Sequence, residues 1–421
     1  MTTSTLTTSQ VAAPSTSKAG TKSPVLKAAW DRFATTMEQL RSTVEAAEQY
    51  DLAPDQRARA YHQLMEIQAM AYNFAMAPRM SYPRVFHNTA WQTDVYSSGG
   101  NGPDFYYGTV FLDGAQTYRL SGKVNDSKLL LAQHNAALPG TAGAKMVRNY
   151  DFADFSIGKD GSFEIILSAQ RHDGNWIPLV DSSYQWILFR PTVEGWTAKP
   201  AALKIERISE IGRDHYRADD FDEAATARRI DFATGYARYM VEDWMIGFWP
   251  RVAKNAGGVN KLTQITEEIA GEVGSPTARY VMGDYVVAED EAMILELPKK
   301  PDGDYWSFQL FDAWLFSHDF RTRQSSLNSE QIVPDADGAI RIVLSHRDRG
   351  VANWLDACGY THGQMLLRNY RSSTSSVPTI RIVKFDELSG LLPQNMKRIT
   401  SAERAAVLGQ RREMYLQRHG E

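Results

Sequence analysis

The chain contains one residue pattern twice, and this repeat restricts its fold more than any other feature. Residues 173–191 and 351–369 each contain Asn-Trp, a variable stretch, and three apolar residues followed by arginine. Because further matches occur in the same order in both halves, we infer that a β unit has been duplicated. Those further matches pair 160–168 with 337–345 and 200–208 with 377–385, and more weakly 107–122 with 282–297.

The residue pattern of both repeated regions is typical of antiparallel strands. Residues 107–122 alternate apolar and polar side chains, with Asp113-Gly114 at a turn. Short strands separated by regular turn signals favour a sandwich or a jelly-roll-like unit. The repeat therefore predicts two related β-sandwiches.

Helical periodicity occurs outside the repeats. An apolar stripe that starts at Trp30 predicts a first helix, and a second is expected between Pro54 and Pro78. A further stripe runs to Phe248 and is expected to end at Pro250. Leu262, Ile265 and Ile269 predict a shorter helix, and Thr400 with Glu403 fits the capping box of a last one.

Together these patterns predict a mainly β, α+β fold. The expected order is a disordered Ser/Thr-rich tail (1–24), a helical hairpin (25–80), a first β-sandwich (81–212), a helical insert (213–275), a second β-sandwich (276–389) and a C-terminal helix (390–421).

Composition excludes several classes of protein. The 46 basic and 50 acidic residues give a net charge of −4, which argues against a nucleic-acid surface. No apolar run is long enough for a membrane span. Cys358 is the only cysteine, which excludes an intrachain disulfide and suits a reducing, cytoplasmic location. No Walker A loop, Gly-x-Ser-x-Gly elbow or His-Glu-x-x-His motif is present.

The same stretches resemble the bacterial family that carries domain of unknown function 1214. The resemblance covers most of residues 28–388 and is most specific in residues 340–368. Asn101-Gly102-Pro103-Asp104 stands where the family usually has an Asp-Asn-Pro-Asp-like stretch. The resemblance implies a double β architecture with helical additions and implies no particular activity.

Residues without a counterpart in the other half are the better candidates for function. His318 and Asp319 follow an aromatic strand, and an aspartate beside a histidine can set its tautomer for proton transfer. Arg321 and Arg323 could bind a carboxylate or phosphate of the substrate.

A second unduplicated stretch, residues 87–108, combines aromatic residues with acid–base pairs, as small-molecule pockets do. His87 and Asp94 are its candidates for proton transfer. Its candidates for substrate binding are Trp91, Asp104, Tyr106 and Tyr107.

Asn353 and Trp354 could line a pocket. However, the same pair recurs as Asn175 and Trp176, which favours a structural turn. Arg190 and Arg368 also recur, and an arginine that braces the partner sheet explains both. A divalent metal site is a weaker alternative, because neighbouring strand residues point to opposite faces. Its ligands would be His318, Asp319, His346 and Asp348.

The leading hypothesis is an enzyme that acts by acid–base chemistry, without an organic cofactor, on a small, partly apolar substrate with an anionic part. Whether it is a lyase, isomerase or hydrolase is left open, and the pocket is expected near the cleft between the two β units. The alternative is a non-catalytic module that binds a glycan or a lipid-like ligand. A third reading is a structural protein, and a homo-oligomer is compatible with each.

Overall fold

In the computed structural model, the described residues are 22–87, 96–97, 99–209, 222–265 and 277–419. The expected tail of residues 1–24 lies almost entirely outside them. Within these described residues, eight strands form the first half and nine the second. The first eight are β1 (Gly108–Leu112), β2 (Tyr118–Lys123), β3 (Leu129–Asn135), β4 (Met146–Asp151), β5 (Ser162–Ser168), β6 (Trp176–Pro178), β7 (Gln185–Thr192) and β8 (Ala202–Arg207). The others are β9 (Thr263–Gln264), β10 (Ala278–Val286), β11 (Glu291–Leu297), β12 (Tyr305–Asp312), β13 (Ser326–Asn328), β14 (Ile340–Ser345), β15 (Trp354–Asp356), β16 (His362–Tyr370) and β17 (Thr379–Lys384).

The strands form two sandwiches with the same topology. In the first, sheet β1-β7-β3-β4 packs against sheet β6-β5-β2-β8. In the second, sheet β13-β12-β16-β10-β9 packs against sheet β15-β14-β11-β17. The order is identical strand for strand, apart from the added β9. This confirms the predicted duplication and the mainly β fold class.

The weakest sequence match, which pairs 107–122 with 282–297, is correct for β2 and β11 and wrong for the strands that precede them, β1 and β10. Leu120 and Leu295 occupy equivalent places, because they pair with the equivalent residues Ile165 and Ile342. One strand earlier, Tyr107 is followed by Gly108, which pairs with Phe189, so Tyr107 lies opposite Arg190. Tyr280 lies opposite Arg368. Tyr107 therefore corresponds to Tyr280 and not to Met282, and the intervening hairpins differ in length by two residues.

The sheets β1-β7-β3-β4 and β13-β12-β16-β10-β9, hereafter the facing sheets, turn their outer faces toward each other. Side chains alternate along a strand, so Ile187 and Phe189 of β7 enter the first sandwich core while Leu188 and Arg190 point out of it. A shared core joins the outer faces and includes Leu131 of the first sheet, Leu366 of the second and Phe248 of the helical region.

The helices of the N-terminal region and of the insert cover one side of the facing sheets. They are α1 (Pro24–Glu45), α2 (Glu48–Leu52), α3 (Arg57–Ala71), α4 (Glu223–Tyr239) and α5 (Phe248–Ala256). Near the C-terminus follow α6 (Leu388–Leu391), which packs on the sheet β15-β14-β11-β17, and α7 (Ser401–His419). Segments Tyr72–Met76 and Met240–Ile246, after α3 and α4, are π-helical. Both α1 and α3 pack on α4, so the N-terminal helices and the insert form one layer.

Several helix predictions need correction. Trp30, placed on the buried stripe of α1, is 60% exposed, whereas Leu40 and Val44 are buried. Pro250 does not end a helix but lies in the first turn of α5, where its missing N–H is tolerated. Around Leu262 and Ile265 the chain forms β9 rather than a helix, and Ile269 lies outside the described residues.

The capping box predicted for the last helix is confirmed. The Thr400 backbone N–H donates to the Glu403 carboxylate at 2.7 Å, and the Glu403 N–H donates to the Thr400 hydroxyl at 3.2 Å. Within the part of the chain that the structure describes, none of the helices has the length and apolar character needed to cross a membrane.

Candidate functional site

The predicted His318–Asp319 pair does not form. His318 is buried, its ring stacks on Tyr360 at 5.0 Å, and its Nε2 lies 3.0 Å from the Tyr285 hydroxyl. Burial lowers the pKa of His318 to about 3, so the ring is neutral near pH 7. Asp319 instead accepts hydrogen bonds from Arg321 and Thr322 near the surface. An aspartate engaged in this way does not orient His318.

The two arginines expected to bind substrate are committed to neighbouring carboxylates. Arg321 pairs with Asp319 at 3.0 Å. Arg323 donates to both carboxylate oxygens of the buried Asp356, at 2.6 and 2.9 Å. These contacts stabilise the turn after β12 and leave no forked site for an incoming anion there.

The second predicted cluster is only partly within the described residues, because Trp91 and Asp94 lie outside them. His87 stacks on Tyr106 at 4.7 Å, and its Nδ1 lies 3.0 Å from the backbone oxygen of Tyr107. Burial lowers the pKa of His87. Asp104 is buried and accepts a hydrogen bond from the Tyr305 hydroxyl at 2.7 Å.

Asn353 and Trp354 are structural, as the duplication indicated. Asn353 accepts from the Val333 N–H and donates to the carbonyls of Val333 and Arg341. Asn175 makes the same three bonds, to Ser156 and Glu164. The indoles of Trp354 and Trp176 both donate to a serine hydroxyl, at 3.0 and 3.2 Å.

The four residues weighed as metal ligands have separate partners. His346 contacts the backbone oxygen of Val287, and Asp348 pairs with Arg404, while His318 and Asp319 have the partners given above. No group of three or more His, Cys, Asp or Glu side chains suited to a metal ion occurs within the described ranges.

A cavity of about 150 Å³ lies between the facing sheets and the helical layer. A volume of that order admits a single six-membered ring. Residues of both sandwiches and of the helices line it. The lining residues are Gly99, Gly100, Tyr107, Gln133, Asn135, Pro139, Trp186, Leu188, Arg190, Tyr239, Met240, Trp244, Phe248, Ile265, Tyr280, Met282, Leu315, Leu366, Arg368 and Tyr370.

Two arginines from equivalent positions reach this cavity, Arg190 on β7 and Arg368 on β16. They are 8% and 4% exposed. Each donates to a glutamine on the neighbouring strand of its own sheet, Arg190 to Gln133 at 2.6 Å and Arg368 to Gln309 at 2.7 Å. We had expected each arginine to brace the partner sheet. This prediction is wrong, because each arginine bonds to the next strand of its own sheet.

The two arginines differ in how completely they are satisfied. Arg368 also donates to the backbone oxygen of Gly100. Nη1 of Arg190 is buried without a hydrogen-bond partner. Within the described residues neither guanidinium contacts a carboxylate. The described cavity lining therefore contains two arginines and no carboxylate.

Three tyrosines surround the arginines. Burial raises the pKa of Tyr107, although the nearby Arg368 and Arg190 lower it. Burial also raises the pKa of Tyr370, whose hydroxyl lies 3.1 Å from that of Tyr280. Tyr107 and Tyr370 therefore remain protonated at neutral pH, and the hydroxyls of all three tyrosines can donate or accept hydrogen bonds.

One wall of the cavity is formed by the π-helical segment Met240–Ile246. Its last turn closes with a hydrogen bond from the Gly247 N–H to the Glu242 oxygen at 2.8 Å. A Cβ at residue 247 would lie 2.6 Å from that same oxygen, so glycine is required. The segment places Met240 and Trp244 on the cavity, and π-helical turns occur often at functional sites.

Of the described residues predicted for substrate binding, only Tyr107 lines this cavity. Arg190 and Arg368 were set aside because they are duplicated. The signal that could have identified them is a charged residue inside an otherwise apolar strand, as in "WILFRP" and "MLLRNY". A buried strand arginine needs a counter-charge, and a strand that supplies none is typical of a binding site.

Comparisons with known proteins identify a matching family model and proteins of similar structure. The model of the family described as "Protein of unknown function (DUF1214)" matches residues 109–190 and 283–374. An uncharacterized protein from Burkholderia cenocepacia has a similar structure, with a TM-score of 0.77 and 26% identity over 86% of this chain and 98% of its own. A protein from Vibrio parahaemolyticus aligns with a TM-score of 0.44 and 13% identity over 76% of this chain and 100% of its own. No curated protein matches the chain. One matched segment lies in each sandwich, so both sandwiches carry a region that matches the DUF1214 family.

Proposed function

We propose that this protein binds a small anionic molecule with an apolar part about the size of one ring, in the cavity between the two sandwiches. The observation that carries the proposal is the buried guanidinium of Arg190, whose Nη1 has no partner. Burying an unpaired charge costs several kcal/mol, a cost that a bound anion would offset.

The rest of the cavity favours a ligand with a compact apolar body. Leu188 and Leu366 occupy equivalent positions on the two facing sheets, and Trp244 and Phe248 form a stacked pair with ring centroids 5.3 Å apart. Such walls fit a flat ring or a branched aliphatic group. A carboxylate is the anion that suits an arginine fork best in so small a space.

Binding is better supported than acid–base catalysis. The described lining residues include tyrosines with raised pKa values but no histidine, carboxylate or thiol. They offer donors and positive charge, and no group that would take up a proton near pH 7. His318 and His87 are not among the lining residues.

The test compares benzoate with benzylamine, which has a similar size and the opposite charge, by calorimetry and thermal shift. We expect benzoate to bind and benzylamine not to bind. Arg190→Gln should weaken benzoate binding roughly 10- to 100-fold, because a hydrogen bond to a charged group is lost.

Arg341→Gln is the matched control, since Arg341 is a partly buried arginine paired with Glu296, Asp335 and Asp337 outside the cavity. Equal binding of benzoate and benzylamine, or benzoate binding that survives Arg190→Gln, would refute the proposal.

A further inference from the structure

Trp244, which lines the same cavity, carries a second buried hydrogen-bond donor without a partner. Its Nε1 is buried and has no acceptor among the described residues. A buried indole N–H normally finds a partner, because leaving it unsatisfied costs free energy.

Another tryptophan of the same cavity provides the contrast. Trp186 of β7 also lines the space, and its indole N–H donates to the Ala137 oxygen at 2.9 Å. The fold thus satisfies one cavity indole through the backbone and leaves the other unsatisfied.

The unsatisfied atoms of the described cavity lining are Arg190 Nη1 and Trp244 Nε1, and both are donors. Arg190 belongs to the first sandwich and Trp244 to the helical layer. A ligand that satisfies both must present acceptor atoms to two separate elements. A neutral apolar molecule would fill the space and leave both donors unsatisfied.

We propose that the ligand is a carboxylate that also accepts the Trp244 N–H, either through its second carboxylate oxygen or through a carbonyl beside the carboxylate. This inference rests on the proposed function and narrows it to aromatic or branched carboxylates, including 2-oxo acids. Trp244 is then the residue that selects an acceptor at the second point, and the π-helical turn is what presents it.

The experiment uses benzoylformate, which has both kinds of acceptor, together with benzoate. Trp244→Phe keeps an aromatic wall and removes the N–H, and Trp176→Phe makes the same change outside the cavity, where the indole N–H donates to Ser168. We expect Trp244→Phe to weaken benzoylformate binding roughly tenfold and Trp176→Phe to leave it unchanged. A parallel loss for benzoate would support the carboxylate oxygen as the acceptor, whereas a loss for benzoylformate alone would support the carbonyl.

Indole NMR of the unsubstituted protein gives the same answer without relying on a variant that folds. With ¹⁵N-labelled tryptophan, benzoylformate should move one indole proton downfield, and Trp244→Phe should remove that signal. The signal of Trp176, which lies outside the cavity, should stay in place.

The failures of the two proposals are distinguishable. If Trp244→Phe binds both probes as the wild type does and no indole proton moves, while Arg190→Gln still weakens benzoate binding, the two-donor inference is overturned and the anion site stands. If the wild type binds neither probe better than benzylamine, both proposals are overturned.

Discussion

Replacing Arg190 by methionine should stabilise the ligand-free protein. Arg190 is 8% exposed, has one side-chain hydrogen bond, to Gln133, and contacts no carboxylate in the described chain. Exchanging a buried, poorly compensated charge for an apolar side chain of similar length is often stabilising by about 1–4 kcal/mol. The lost bond to Gln133 subtracts about 1 kcal/mol. We therefore expect a net gain of about 0–3 kcal/mol in the free energy of unfolding.

The opposite result is expected for Arg341→Met. Arg341 contacts three carboxylates, and the side chain of one, Asp335, is only 3% exposed. Removing this arginine leaves Asp335 as a buried, uncompensated charge, which costs about 3–5 kcal/mol. Both substitutions replace arginine with methionine, so the difference between their effects on stability reports whether the arginine is paired with carboxylates.

The assay is urea denaturation of both variants and the wild type, without and with benzoate. Without benzoate the denaturation midpoint of Arg190→Met should rise and that of Arg341→Met should fall. With benzoate the wild type and Arg341→Met should gain stability, and Arg190→Met should not. If Arg190→Met is destabilised as much as Arg341→Met, the charge of Arg190 is compensated in the free protein and our reasoning is refuted.

Three further predictions concern residues away from the arginines. Asn353→Ala should cost about 2–3 kcal/mol of stability, and more than Asn175→Ala, because Asn353 is the more deeply buried of the two; benzoate calorimetry and urea denaturation should show lost stability with unchanged affinity. Asp284 has its pKa raised to about 8 by burial, so the folded state holds a proton that the unfolded chain releases above about pH 4. Because of Asp284, the free energy of unfolding should fall by up to about 1.4 kcal/mol per pH unit between pH 4 and pH 8. Asp284→Asn should flatten that slope in thermal scans. His318→Phe should keep the stack on Tyr360 and lose about 1 kcal/mol with the bond to Tyr285; altered benzoate binding would contradict its placement outside the site.

The duplicated architecture could be predicted from the sequence because the repeat carries its own structural signals. Asn175 and Asn353 each fix a turn by three hydrogen bonds to the backbone. An asparagine that makes three such bonds occurs in both copies, so the repeat can be recognised from a single sequence. The offset between Tyr107 and Tyr280 could not be found in this way, because a hairpin tolerates a change of loop length that leaves little trace in the pattern.

The site was harder to predict because a residue that occurs in both copies is expected to have a structural role and not a ligand-binding role. A cavity at the interface of two related units is lined by equivalent residues from both, as Arg190 and Arg368 show. What differs between the copies is the environment: Gly100 accepts a hydrogen bond from Arg368, and no such acceptor meets Nη1 of Arg190. That difference depends on long-range contacts that no local pattern reports.

The adjacent pair His318 and Asp319 shows the converse error. Proximity in sequence suggested cooperation, but the chain turns between them, so that one residue is buried against Tyr360 and the other forms a surface ion pair with Arg321. Neighbouring residues often face different environments at the end of a strand. Whether two neighbouring residues act together is therefore decided by how they pack, which composition does not report.

The most direct test of an anion site between the two sandwiches is a crystal structure of the protein soaked with 4-bromobenzoate, in which anomalous scattering locates the bromine. We predict that the carboxylate lies within hydrogen-bonding distance of Arg190 Nη1, with the ring among Leu188, Leu366 and Trp244. Bromine density at another place on the protein, with the cavity between the facing sheets empty, would contradict the account.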